Sequence, residues 1–139
     1  MQRIRVLVVD DSIVFRELLV QNLSKDPTIQ IVGTAKDPFE ARDKILECKP
    51  DVMTLDIELP RMNGIEFLRK LMPQYPLRVV VISSLSDKVF DAMQAGAVDF
   101  VAKPSVSNRV QLEEFVKNEL LVKIKIASTT EDEIEFMDI

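Results

Sequence analysis

Four apolar runs in this chain end on residues suited to chemistry. "IRVLVV" runs into Asp10-Asp11-Ser12. "DVMTLD" ends on Asp56, with Glu58, Pro60 and Gly64 close behind. "RVVVIS" ends in Ser83-Ser84, and "VDFVAK" in Lys103-Pro104. A carboxylate that closes a core strand is costly to desolvate unless a cation or hydrogen-bond donors meet it. Asp10, Asp11 and Asp56, if brought together, would repel by roughly 4 kcal/mol per pair at ~4 Å and an effective dielectric near ~20. Such a cluster must take up protons or a cation. An all-oxygen, carboxylate-rich site favours Mg2+, which usually keeps waters and shares its shell with a phosphate. Asp56 then reads as a nucleophile that forms an aspartyl-phosphate. Lys103 would pair with Asp56 or with phosphoryl oxygens, and Ser83 would donate a hydrogen bond to one of them.

Each signal has a plainer reading when taken alone. Asp11 or Ser12 could cap a helix, and a lysine beside a turn is ordinarily a surface group. Asp56 has no helix to cap, because the next helical pattern opens only at Asn63. What favours chemistry is convergence on one rim. The Lys103-Pro104 bond could be cis at modest cost, which would aim the lysine inward. Pro60 and Gly64 would shape the loop after Asp56.

The elements that must position these groups follow from periodicity. Ile4–Val9, Ile29–Ala35, Asp51–Asp56, Arg78–Ser83 and Val98–Lys103 read as strands. The first, third and fourth are apolar on both faces, as strands of a covered parallel sheet are. Between them lie helical stripes, such as Phe15, Leu18, Leu19 and Leu23 on one face. Asp37-Pro38 opens a second helix with Glu40 in a capping-box position, Asn63 caps a third, and Ser86 caps a fourth that Gly96 closes. The last and longest carries Leu112, Phe115, Val116, Leu120 and Ile124. Strict alternation of strand and helix implies right-handed crossovers and an α/β fold with helices on both faces. In open sheets of this kind, ligands bind beyond the carboxyl ends of the strands, where the strand order reverses.

Composition narrows the function. The 139 residues suffice for one domain, 47% are hydrophobic, and a net charge of −5 argues against nucleic acid or an anionic membrane as partner. A single Cys48 allows no internal disulfide and suits a cytoplasmic location. There is no histidine, so a Ser-His-Asp hydrolase, a phosphohistidine relay site and a typical zinc site are beyond this chain alone. No G-x-x-x-x-G-K-[ST] loop suggests ATP binding. Fewer than forty residues follow Lys103, too few for a helix-turn-helix beyond the last helix.

Together, "VLVVDDS", "LDIELPRMNG", "VVVISS" and "GAVDFVAKP" resemble the receiver domain of two-component response regulators, over essentially Ile4 to Ile126. "VMTLDIELPRMNGIEFLRKLM" is similar, more narrowly, to the receiver half of the chemotaxis protein-glutamate methylesterase family. The resemblance implies a flavodoxin-like, doubly wound, five-stranded parallel sheet in the order 2-1-3-4-5, a three-layer sandwich. It implies Asp56 as phosphoacceptor, Asp10 and Asp11 as Mg2+ ligands with the backbone carbonyl of Glu58, Ser83 as switch hydroxyl and Lys103 as phosphate-binding lysine. Phe100 stands where the switch aromatic, often tyrosine, would stand, and so lacks a phenolic hydroxyl. The implied phosphodonor is a chemotaxis-type histidine kinase, and the implied regulated partner is a methylesterase catalytic domain.

That family carries a G-x-S-x-G-like serine site and a histidine after the receiver, which this chain lacks. The expectation is therefore a regulatory domain rather than an enzyme, with residues 1–126 as receiver and 127–139 as an acidic tail or the start of an interdomain linker. A stand-alone single-domain response regulator is the alternative. A phosphatase that turns over an aspartyl-phosphate is a further one, since Glu58 lies two residues beyond Asp56. A binding module that is never phosphorylated fits less well, because degenerate receivers lose acids or the lysine and this chain has them all.

Overall fold

A computed structural model describes residues 2–105 and 108–137. Strands and helices alternate: β1 (Ile4–Val9), α1 (Ile13–Leu23), β2 (Ile29–Ala35), α2 (Pro38–Cys48), β3 (Val52–Asp56), α3 (Gly64–Leu71), β4 (Arg78–Ser83), α4 (Val89–Gln94), β5 (Asp99–Ala102), α5 (Arg109–Phe115) and α6 (Leu121–Met137). The strands pair in parallel in the order β2-β1-β3-β4-β5, the doubly wound order expected. The order reverses between β1 and β3, so the crevice lies where Asp10, Asp11 and Asp56 leave the sheet.

Strand alternation explains why the central strands are apolar on both faces. Leu7, Val9, Met53, Leu55, Val79 and Val81 point to one core, roofed by Ala41, Ile45, Ile65, Leu68 and Ala92 from α2, α3 and α4. Val6, Val8, Val52, Val80, Ile82 and Val101 point to the other, beneath Phe15 and Leu19 of α1 and Leu112, Leu120 and Ile124 of the C-terminal helices. Between the two apolar layers Thr54 in mid-β3 is the polar exception, its buried hydroxyl without a partner among the described residues, and the charged groups lie at the strand ends.

Three predicted caps form: Ser12 accepts the Phe15 N–H, Asp37 the Glu40 N–H and Asn63 the Glu66 N–H. Ser86 does not cap α4. It opens a tight turn over Ser86–Lys88, and α4 begins at Val89 with no side-chain cap. The reason lies upstream: the Ser83 hydroxyl takes the Leu85 N–H, and Lys88 N–H closes back on the Leu85 carbonyl, so the chain winds one step early. Gly96 does end this segment, at φ +117°, where an added Cβ would stand 2.7 Å from Met72 Cγ.

The last helical run is not uniform. A wider π turn, Val116–Leu120, joins α5 to α6. At about 3.6 residues per turn, the steps of four from Val116 to Leu120 to Ile124 would drift around a straight helix. The π turn takes up one more residue and rotates the stripe back toward the sheet, so that Leu120, Ile124 and Ala127 are all buried. The helix continues through much of the acidic segment to Met137, and Asp138 and Ile139 lie outside the described residues.

Candidate functional site

Asp10, Asp11 and Asp56 each offer a carboxylate oxygen within 4.8 Å of the others. Asp10 and Asp56 are 2% exposed, whereas Asp11 faces solvent. The lysine meets them as expected: Lys103 Nζ donates to Asp10 Oδ2 and to Asp56 Oδ2, both at 3.1 Å. One ammonium thus answers two of the three carboxylates, Asp10 and Asp56. The remaining donors are backbone groups, Ser12 N–H to Asp10 Oδ1 at 2.8 Å and Glu58 N–H to Asp56 Oδ1 at 3.0 Å.

The charge imbalance shows in the titration of the site. Burial pushes the Asp56 carboxyl up to about 6 and the neighbouring Asp10 charge adds to this, while the Glu58 N–H and Lys103 pull the other way. Burial works against the Lys103 ammonium, but the charges of Asp56 and Asp10 outweigh it, and its pKa is raised above 10.5. A buried, acid-rich site of hard oxygen donors with unrelieved negative charge fits a small divalent cation such as Mg2+.

The local chain makes this possible. β3 delivers Asp56 as its last residue. Gly64 then packs so closely that its N–H donates to the Ile57 carbonyl at 2.7 Å, and a Cβ there would lie 2.7 Å from the Asp56 carbonyl oxygen and 2.9 Å from Ile57 Cα. Only a residue without a side chain lets α3 start this near the acid. Lys103 follows β5 directly, and its N–H donates to the Ser83 carbonyl at 2.9 Å, extending the ladder by one rung. The Lys103-Pro104 bond is trans, so the cis geometry suggested by the sequence is not what aims the lysine. The strand register and two carboxylates suffice.

Ser83 is buried, but its hydroxyl accepts the Leu85 N–H at 3.0 Å and, among the described residues, bonds neither Asp56 nor Lys103. Phe100 is half-buried against the α2–α4 core. The Glu58 carboxylate, exposed, accepts the Ser84 hydroxyl at 2.8 Å. Two further neighbours escaped the sequence reading. Arg16 donates to the Asp10 carbonyl at 2.8 Å, and the Phe15 ring lies beneath the Lys103 ammonium, 4.4 Å from its centroid. Phe15 belongs to the apolar stripe of α1, a signal that reads as core and nothing else.

A family model described as the response regulator receiver domain matches residues 6–117. A protein-glutamate methylesterase/protein-glutamine glutaminase from Syntrophomonas wolfei is 61% identical over 128 residues, and one from Syntrophotalea carbinolica is 53% identical over 132. Each match covers 92% of this chain and 37% of the relative, so the chain spans little more than a third of the length of these curated relatives. Among solved structures, the response regulator domain of Thermotoga maritima CheB superposes with a TM-score of 0.82 at 44% identity, covering 91% of this chain and 97% of that one.

Proposed function

This chain belongs to the response regulator receiver family, with a receiver of the CheB type, and on that premise we propose that it is a phosphorylation switch whose acceptor is Asp56. The observation that carries this reading is the gathering of Asp10, Asp11 and Asp56 at the switch point of the sheet, with Lys103 paired to Asp10 and Asp56. A histidine kinase of a chemotaxis system is the phosphodonor. The methylesterase region that such receivers precede in the relatives is the regulated partner, and the cytoplasm is the compartment. No helix among the described residues is long and apolar enough to cross a membrane.

The chemistry asks the protein mainly for positioning and charge. Mg2+, held by Asp10, Asp11 and Asp56 with the Glu58 carbonyl, would neutralise charge on the incoming phosphoryl group. An Asp56 carboxylate oxygen bonds to phosphorus as the P–N bond of the donor phosphohistidine breaks, leaving the imidazole. The Glu58 N–H and the Lys103 ammonium already point at the two Asp56 oxygens, so one can bond to phosphorus while the other stays held.

The readout begins at Ser83. Its oxygen accepts from Leu85, which leaves its own proton free to donate to a phosphoryl oxygen. Drawing Ser83 toward Asp56 pulls on the loop that opens α4, and through the β4–β5 ladder on Phe100, which pairs with Val81. By the family resemblance, the surface of α4, β5 and α5 then changes its contacts. Leu85, Val89, Phe90 and Met93 are between 36% and 69% exposed there, apolar surface suited to a protein partner.

Intact mass after cold incubation with acetyl phosphate and Mg2+ tests the proposal. One labile phosphoryl adduct is expected, lost in Asp56→Asn and when the metal is chelated. Absence of both an adduct and phosphate release from acetyl phosphate would sink the switch.

A further inference from the structure

We infer that Phe15 is a positioning residue for phosphoryl transfer, its ring being the one anchor of the Lys103 ammonium, among the described residues, that a bound cation cannot take away. The inference rests on the function proposed above. Lysine has a long, flexible stem, and among the described residues three contacts hold its ammonium: Asp10 Oδ2, Asp56 Oδ2 and the Phe15 ring face at 4.4 Å. The two carboxylates are also the groups that a divalent cation would engage. As a cation draws Asp10 to itself, the lysine loses one partner and feels a new positive charge beside it. The new charge pushes the ammonium off Asp56, and the loss of Asp10 leaves it one anchor fewer.

The ring answers neither effect by leaving. It has no lone pair to offer a hard cation, and its quadrupole attracts the ammonium whatever Asp10 is doing. Phe15 is itself fixed, 7% exposed in the first turn of α1, with its N–H on the Ser12 hydroxyl and its side chain packed among Val8, Leu19 and the C-terminal helices. The Lys103 side chain is only 21% exposed, so water screens the contact weakly. In the loaded site the ring therefore keeps the ammonium at the acceptor oxygen before the phosphoryl group arrives.

The test separates the seat from the switch. Phe15→Leu and Phe15→Met keep an apolar side chain but remove the π face, whereas Phe15→Tyr and Phe15→Trp keep it; circular dichroism identifies which variants fold. With saturating Mg2+ and acetyl phosphate, the ring-less variants should be phosphorylated about tenfold more slowly, some 1.4 kcal/mol. Tyr and Trp should stay within about threefold of the wild type, and Mg2+ affinity should be unchanged throughout. Independently of any phosphorylation, NMR of 13Cε-labelled lysine, assigned with Lys103→Arg, should place the Lys103 methylene upfield by the ring current both without and with Mg2+. Wild-type rates in the ring-less variants, or loss of the upfield shift when Mg2+ is added, would overturn the inference. A wild type that takes no phosphoryl group would overturn the proposed function instead, and the ring-current measurement would then decide the seat alone.

Discussion

Asp26 and Asp56 sit at opposite ends of the sheet and have opposite surroundings. Asp26 lies in the turn before β2, where Thr28 supplies its N–H at 2.8 Å and its hydroxyl at 2.5 Å, and Lys125 its ammonium at 2.9 Å. Those hydrogen bonds, Thr28 foremost, lower its pKa to about 2. Asp56 has two donors, the Glu58 N–H and a Lys103 ammonium that it shares with Asp10, and burial carries it up to about 6. An acid with donors to spare is a fastener that ties α6 to the α1–β2 turn. A buried acid whose ammonium is divided with a second acid suits a partner that brings positive charge. The molecule places fasteners where strands begin and keeps its unmet charge where they end.

The sharpest way to break this contrast is to neutralise each acid and follow stability with pH. For Asp56 the folded pKa lies above the unfolded 3.8. Its contribution is therefore most favourable below about pH 4 and is lost as the pH rises through about 6, roughly 3 kcal/mol in all at ~1.4 kcal/mol per unit. Urea unfolding in EDTA should thus find Asp56→Asn more stable than the wild type at pH 7.5, with the gap closing toward pH 4 and shrinking when Mg2+ is added to the wild type. A gap independent of pH would mean that Asp56 is as well satisfied as Asp26.

Gly64→Ala probes the same end through the backbone. Its Cβ collides with the Asp56 carbonyl, and about 2 kcal/mol of stability should go, together with a slower gain of the phosphoryl group as the acid is displaced. Unchanged chemical unfolding would show that the loop has slack. The smallest effect belongs to the fastener. Asp26→Ala should cost about 1 kcal/mol at pH 7 after allowance for solvent screening, and nothing below about pH 2, because a lowered pKa lends stability only above it. Its phosphoryl uptake should match the wild type, as measured by intact mass.

Much of the site was legible before any coordinates, because its members lie where strands stop. A run of β-branched residues that ends on Asp56 or Lys103 marks both the element and the exception within it. That the strands run parallel likewise follows from alternation, whereas their order came from the family resemblance. What was not legible depends on rotation and crossing of helices. Phe15 has the spacing of a core residue and is one; only the angle of α1 brings its ring under an ammonium 88 positions along the chain. Ser84 finds Glu58 across two loops that no periodicity describes. Ser86 looked like a cap because hydroxyl and spacing were right, but the neighbouring Ser83 had already claimed the turn. The π turn is invisible to a stripe, since it is the correction that keeps a drifting stripe straight.

The sequence distance between the lysine and its acids has a consequence in time. Asp10 and Asp56 are separated from Lys103 by 93 and 47 positions, and β5 is an edge strand that pairs with β4 alone. During synthesis, chains emerge from the N-terminus and long-range pairings form late. A nascent chain that has released β1 and β3 but not β5 carries its acids without their ammonium. On the proposed function, the acceptor acid would lack its lysine until the edge strand docks, so a half-made switch would not be thrown.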